Sequence, residues 1–229
     1  MNNNKLELEP LYFEFIQKPV EAEQSLKEFE IIKKQVPLEL DEKFSHNFTC
    51  VYDEYRHKIH KNTWSYKKYF VYDLEGNKLY EFVRTYSGVC PITRFSMNDK
   101  DYLLVSEEYT EITLVDITNP AEPIKYVFGV NQHGWCPASF RVIKSPDETK
   151  PPLLFMEGCF WGCEYDGILV PFSNPETALL EKQKILYFEI PHLASNFEVW
   201  WCNINSKKEW KLNIAWESEN YQELETTPF

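Results

Sequence analysis

The sequence predicts a mainly β protein built from repeated antiparallel units, with one short N-terminal helix. Three observations predict it. Aromatic residues are 16% of the 229 residues, with 16 Phe, 14 Tyr and 7 Trp, and large flat side chains favour strands and sheet packing. Short apolar runs recur at a spacing of roughly ten residues, as in all-β domains. Segments in the middle of the chain also repeat one another in order.

The N-terminal part is mixed. Leu11-Tyr12-Phe13-Glu14-Phe15-Ile16 reads as a strand. Residues 20–35 contain no Gly or Pro and are rich in Glu, Lys and Gln. They space Leu26, Phe29 and Ile32 at three-residue intervals, which predicts an amphipathic helix, and Pro19 suits its start. From about residue 46 strand-length runs take over: Tyr69–Tyr72, Tyr102–Val105, Ile112–Val115, Leu153–Met156, Ile168–Val170 and Ile185–Phe188. The stretch Asp73–Lys78 reads as a hairpin turn. Only 7 Gly stand against 14 Pro, so tight turns needing positive φ are expected to be few. The segment 217–229 has four Glu and no basic residue, and reads as a solvated tail. The chain is therefore read as a single domain, 1–229: a segment 1–45 packed on repeated β units over 46–216, then the tail.

The repeat is the most informative feature. Gly88-Val89-Cys90-Pro91 is answered by Gly134-Trp135-Cys136-Pro137, 46 residues on. Tyr102–Glu107 is answered by Pro152–Glu157, and Ile112–Pro120 by Gly167–Pro175. The offset grows from 46 to 50 to 55 residues, so the second unit carries two small insertions. A fainter earlier copy places Tyr69–Leu74 where Thr113–Ile117 stand, and a worn final unit begins near Phe197. Multi-strand repeats of about 40–50 residues suggest propeller blades. Residues 46–190 resemble the units of WD-repeat and related β-propellers, without their Trp-Asp pair or Gly-His opening. That resemblance implies a propeller-like array of four to five blades. The alternative is a β-sandwich, whose neighbouring hairpins look alike through shared strand patterning.

Charge bounds the partners. Lys plus Arg is 24, Asp plus Glu is 36, and the net charge is −12. This argues against nucleic acid and anionic membranes, both of which repel such a chain. No apolar run reaches the roughly 20 residues of a membrane helix. Residues 1–18 lack the basic and apolar regions of a secretion signal. Six cysteines are too few for a disulfide scaffold, so buried reduced thiols and a cytoplasmic location are expected.

One short motif carries chemistry. Gly158-Cys159-Phe160-Trp161-Gly162-Cys163-Glu164 resembles the active-site signature of the A-class peptide methionine sulfoxide reductases. The resemblance implies that Cys159 attacks a sulfoxide sulfur with its thiolate favoured by a helix N-terminus. Phe160 and Trp161 would hold the substrate methyl, and Glu164 would supply a proton. The flanking sequence does not extend it. Only 65 residues follow Glu164, Tyr165-Asp166-Gly167 reads as a turn, and Ile168-Leu169-Val170 reads as a strand where that family needs a helix. The expected catalytic set is therefore empty, with Cys159 and Glu164 as the alternative.

No metal or cofactor is expected. His57 and His60 stand three apart among charged neighbours, and read as an exposed loop or hairpin. Glu107, Glu108 and Glu157 fall at matching repeat positions and read as a solvated rim. His133, Trp135, Trp200 and Trp201 are the candidate binding residues, since Trp is enriched at interface hot spots. The function expected is a non-catalytic protein-binding module, of immunity or inhibitor type, taking a basic partner. A thiol-dependent enzyme acting through Cys159 and a structural subunit of a larger assembly are the alternatives.

Overall fold

The computed structural model describes residues 12–15, 28–40, 47–60, 65–84, 90–130, 134–145, 150–160, 165–181, 185–189, 197–203 and 210–216. Fifteen strands run through them. They are β1 (Phe13–Phe15), β2 (Phe29–Pro37), β3 (Thr49–His57), β4 (Tyr66–Tyr72), β5 (Lys78–Arg84), β6 (Ile92–Met97), β7 (Lys100–Val105) and β8 (Glu111–Asp116). There follow β9 (Ile124–Val130), β10 (Trp135–Ile143), β11 (Leu153–Phe160), β12 (Tyr165–Pro171), β13 (Leu186–Glu189), β14 (Phe197–Asn203) and β15 (Trp210–Trp216). A single 3-10 turn, Ala178–Leu180, separates β12 from β13.

The strands make four antiparallel sheets: β2-β3-β4-β5, β1-β9-β8-β7-β6, β10-β11-β12-β13 and β14-β15. Turn chemistry sets the hairpins. Between β6 and β7, Asn98 and Asp99 both take positive φ, at 54° and 60°, so the tight turn forms without glycine from two residues that tolerate this conformation. Between β4 and β5, Gly76 sits at φ 88°, and the Asp73 carboxylate accepts the Asn77 backbone N–H at 2.7 Å.

Burial explains the apolar runs. In β7, Tyr102 and Leu104 point into one cluster, with Ile112 and Leu114 of β8, Phe128 of β9 and Leu154 and Met156 of β11. Leu103 and Val105 point the other way, with Val115 of β8, Val71 of β4 and Phe82 of β5. The five-stranded sheet is thus buried on both faces, between the sheets formed by β2–β5 and by β10–β13. A strand buried on both faces reads as a continuous apolar run, not an alternating one.

Two expectations are corrected. The sheets are separate and open, and among the described residues no strand pairing closes them into a ring. The propeller-like array of four to five blades is therefore replaced by sandwich-like stacking of open antiparallel sheets. The repeated letters mark strands at matching places in successive sheets, β4, β8 and β12 being the third strand of each run of four. Such letters encode two-sided burial, and that burial does not specify a closed ring. The helix over 20–35 is also corrected where the structure describes it: Phe29–Pro37 is β2, paired with β3, while residues 20–27 lie outside the described residues. Edge pairing outweighs a helix propensity worth tenths of a kcal/mol per residue. The register of β2 shifts between Ile31 and Lys33 and again between Lys33 and Val36. At the second shift Gln35 takes φ 51°, and its N–H is donated at 2.7 Å to the buried Asp53 carboxylate.

At the end carrying the β6–β7 turn, the Lys100 ammonium joins Asp116 at 3.0 Å and Glu176 at 2.7 Å. The Tyr102 hydroxyl donates to Glu176 at 3.2 Å. Lys100 holds the Glu176 carboxyl below its ordinary value, against the opposing effect of burial. A depressed carboxylate contributes stability above its unfolded pKa of about 4.3 and loses it as pH falls through the folded value. Glu176→Gln is expected to lower the urea midpoint at neutral pH, with the deficit shrinking as pH falls through the depressed folded value. A deficit that does not change as the pH is lowered would show that the carboxylate charge is not what stabilises.

Candidate functional site

One end of the stack brings together Arg84, Glu107, Cys90 and Cys136 among the described residues. It holds the end of β5, the start of β6, the β7–β8 turn, the start of β10 and the end of β11. Arg84 closes β5 and is 2% exposed, rare burial for an arginine. Its guanidinium lies close enough to Cys90 and Cys136 to lower both thiols, against the burial that raises them.

The Glu107 carboxylate is held on both oxygens. Tyr80 donates its hydroxyl to Oε1, and Lys125 Nζ lies 2.9 Å from Oε1 and 3.0 Å from Oε2. Lys125 also stands 5.2 Å from the Tyr80 ring centroid. Burial, and then Glu107, push the Tyr80 phenol well above its ordinary value. A carboxylate engaged by an ammonium and a phenol ties β9, β5 and the β7–β8 turn together. Glu157, its counterpart in the repeat, accepts the Ser139 hydroxyl at 3.1 Å.

The thiols differ. Burial pushes Cys50 and Cys90 up to about 12, so both are protonated at neutral pH and poor nucleophiles. Burial raises Cys136 too, while the Tyr109 hydroxyl and Arg84 pull it back down. Its Sγ donates to the Gly134 carbonyl at 3.1 Å. Cys159 is half-buried near the end of β11, in register with Tyr165 of β12. The chain after Cys159 thus returns as a strand by Tyr165, leaving only residues 161–164 for the helix that the reductase resemblance implies.

Trp135 is corrected as a surface anchor. It is fully buried, edge-on to Phe13 with ring centroids 6.4 Å apart. Its indole covers Gly158 on the neighbouring strand. A Cβ at Gly158 would fall 2.6 Å from the Cys136 carbonyl oxygen and closer still to the Trp135 ring. The first glycine of the reductase-like motif therefore has a packing role. Trp200 and Trp201 lie in β14, opposite Asn213 and Leu212, and their side chains lie outside the described structure. His133, Trp161, Cys163 and Glu164 lie outside the described residues, as does the tail 217–229.

His57 Nδ1 accepts the backbone N–H groups of Ile59 at 3.1 Å and His60 at 3.0 Å, which occupies one ring nitrogen in the turn. Among the described residues no cluster of three or more His, Cys, Asp or Glu side chains could hold a metal ion. No helix among them is long and apolar enough to cross a membrane. Sequence reasoning missed Arg84, Tyr80 and Lys125. Their partners are distant in sequence and no local spacing marks them.

Comparison with protein-family models, with curated proteins and with solved structures finds no match to this chain.

Proposed function

We propose that the protein is a non-catalytic binding module that takes a basic protein partner, in the manner of an immunity protein or inhibitor occluding a basic toxin or enzyme. What carries this reading is the net charge of −12 over the whole chain. Some of the basic side chains are engaged in ion pairs or buried. Lys33 pairs with Glu54 at 2.9 Å, Lys68 with Glu81 at 2.7 Å and Arg94 with Asp101 at 3.4 Å. Lys100 and Lys125 are held as described, Lys67 lies 4.5 Å from the Tyr52 ring centroid, and Arg84 is buried. Exposed carboxylates stand at Glu30, Glu39, Glu75, Asp99 and Glu122. Lys34, Arg56, Lys58 and Lys144 are exposed as well. The reading therefore rests on the −12 excess of the whole chain, which attracts cations over about 8 Å at physiological ionic strength.

Capture from native lysate at low and at high salt, followed by association kinetics on the recovered partner, tests this. The partner should be basic. Its association rate should fall roughly tenfold as salt rises well above physiological, with dissociation little changed. The double charge reversal Glu75→Lys, Glu122→Lys should slow association in the same way. An acidic partner, or an association rate indifferent to salt, would refute the reading.

A further inference from the structure

We propose that Cys136 and Cys159 form a reversible oxidation site, a directly opposed thiol pair that a low-molecular-weight disulfide closes into a cross-strand bridge. The two residues are register partners in the antiparallel pair of β10 and β11. Among the described residues no other cysteine faces a cysteine across a ladder. Directly opposed residues project from the same face of the sheet. Their Cα atoms lie about 4.5–5.5 Å apart in an antiparallel pair, inside the roughly 4.4–6.8 Å that a disulfide spans. The opposed Cβ atoms of such a pair, about 4.5–5.5 Å apart, reach the roughly 3.5–4.5 Å of a disulfide by a small local adjustment of the two strands.

Access is graded along the pair. Cys159 is half-buried and can meet a reagent, whereas Cys136 is buried. Burial raises the Cys136 thiol, and the nearby Tyr109 hydroxyl and Arg84 guanidinium offset part of that rise. Cys50 and Cys90 are buried elsewhere. Their thiols donate to the Val51 and Pro91 carbonyls at 3.9 and 4.0 Å. The chemistry balances with glutathione disulfide as oxidant. The Cys159 thiolate attacks one glutathione sulfur, breaking that S–S bond and releasing one glutathione. The Cys136 thiolate then attacks the Cys159 sulfur, forming the protein disulfide and releasing the second glutathione. The two protein thiols lose two electrons to the glutathione disulfide, and their two protons leave on the two glutathione thiols.

The test uses the full chain. Native protein is incubated with glutathione disulfide, quenched with an alkylating agent and mapped by peptide mass spectrometry. The expected product is a linked Cys136–Cys159 peptide that dithiothreitol reverses, with Cys50 and Cys90 alkylated only after denaturation. Cys136→Ser should stop at a glutathione adduct on Cys159. The milder Cys159→Ser should leave Cys136 unmodified, and it covers the case in which Cys136→Ser does not fold. A stable glutathione adduct on Cys159 of the unaltered protein, a bridge between other cysteines, or no reaction would each overturn the proposal.

Discussion

Gly158→Ala is expected to destabilise the protein by about 3 kcal/mol, at the upper end of overpacking costs. For a chain of this size that is a fall of roughly 6–12 °C in Tm. The reason is local and two-sided. The new methyl meets the Trp135 indole on one side and the Cys136 carbonyl oxygen, at 2.6 Å, on the other. Neither can retreat easily. Trp135 is fully buried against Phe13, and the carbonyl belongs to β10, whose register with β11 is set on both sides of it. A double-mutant cycle separates the two contacts. Trp135→Ala alone should cost about 3–5 kcal/mol. Adding Gly158→Ala to it should cost at least ~1 kcal/mol less than in the parent, because the ring clash has gone. The residual cost reports the carbonyl. Thermal unfolding of the four proteins gives the cycle. Strict additivity would show that the indole does not cover Gly158.

Leu103→Ala and Leu104→Ala are each expected to cost about 2–5 kcal/mol. They are neighbours in β7, so a sheet with one wet face would bury one of them and expose the other. Here both are fully buried, Leu103 toward the sheet of β2–β5 and Leu104 toward that of β10–β13. Each truncation opens a cavity in a different layer, lined by different side chains. The double variant should therefore lose the sum of the two within about 0.5 kcal/mol. Urea unfolding of the two single variants and the double checks this. A near-neutral single variant would mean that one face of the central sheet is not covered, and the stacking described above would fail.

The strands were legible in the sequence because their signal is local. Tyr102-Leu103-Leu104-Val105 and Ile112-Thr113-Leu114-Val115 are apolar without alternation, and both lie in strands buried on both faces. The Asp73–Lys78 turn was legible for the same reason, since Asp73 and Gly76 supply its chemistry within a few residues. The polar stretch Ser96–Asp101 also read as a turn between strands, and it closes tightly without glycine because Asn98 and Asp99 reach positive φ unaided. The site was less legible. Glu107 was visible as a carboxylate, but Tyr80 and Lys125, which hold it, are 27 and 18 residues away. The buried Arg84 had no local mark at all. Trp135 had the composition of a surface anchor and the environment of a core residue, a choice that only packing against Phe13 and Gly158 makes.

By itself, then, the sequence determined a chain of strands, their approximate order in repeated units, and a net acidic charge. These follow from side-chain type and spacing along a few residues. Tertiary structure alone decided that Phe29–Pro37 is an edge strand and not a helix, because pairing with β3 outweighs a weak local propensity. It also decided that the repeated sheets stack without closing into a ring. The pattern of a strand records which faces are buried, whereas the angle between one sheet and the next is set by side chains that meet across layers and are far apart in the chain.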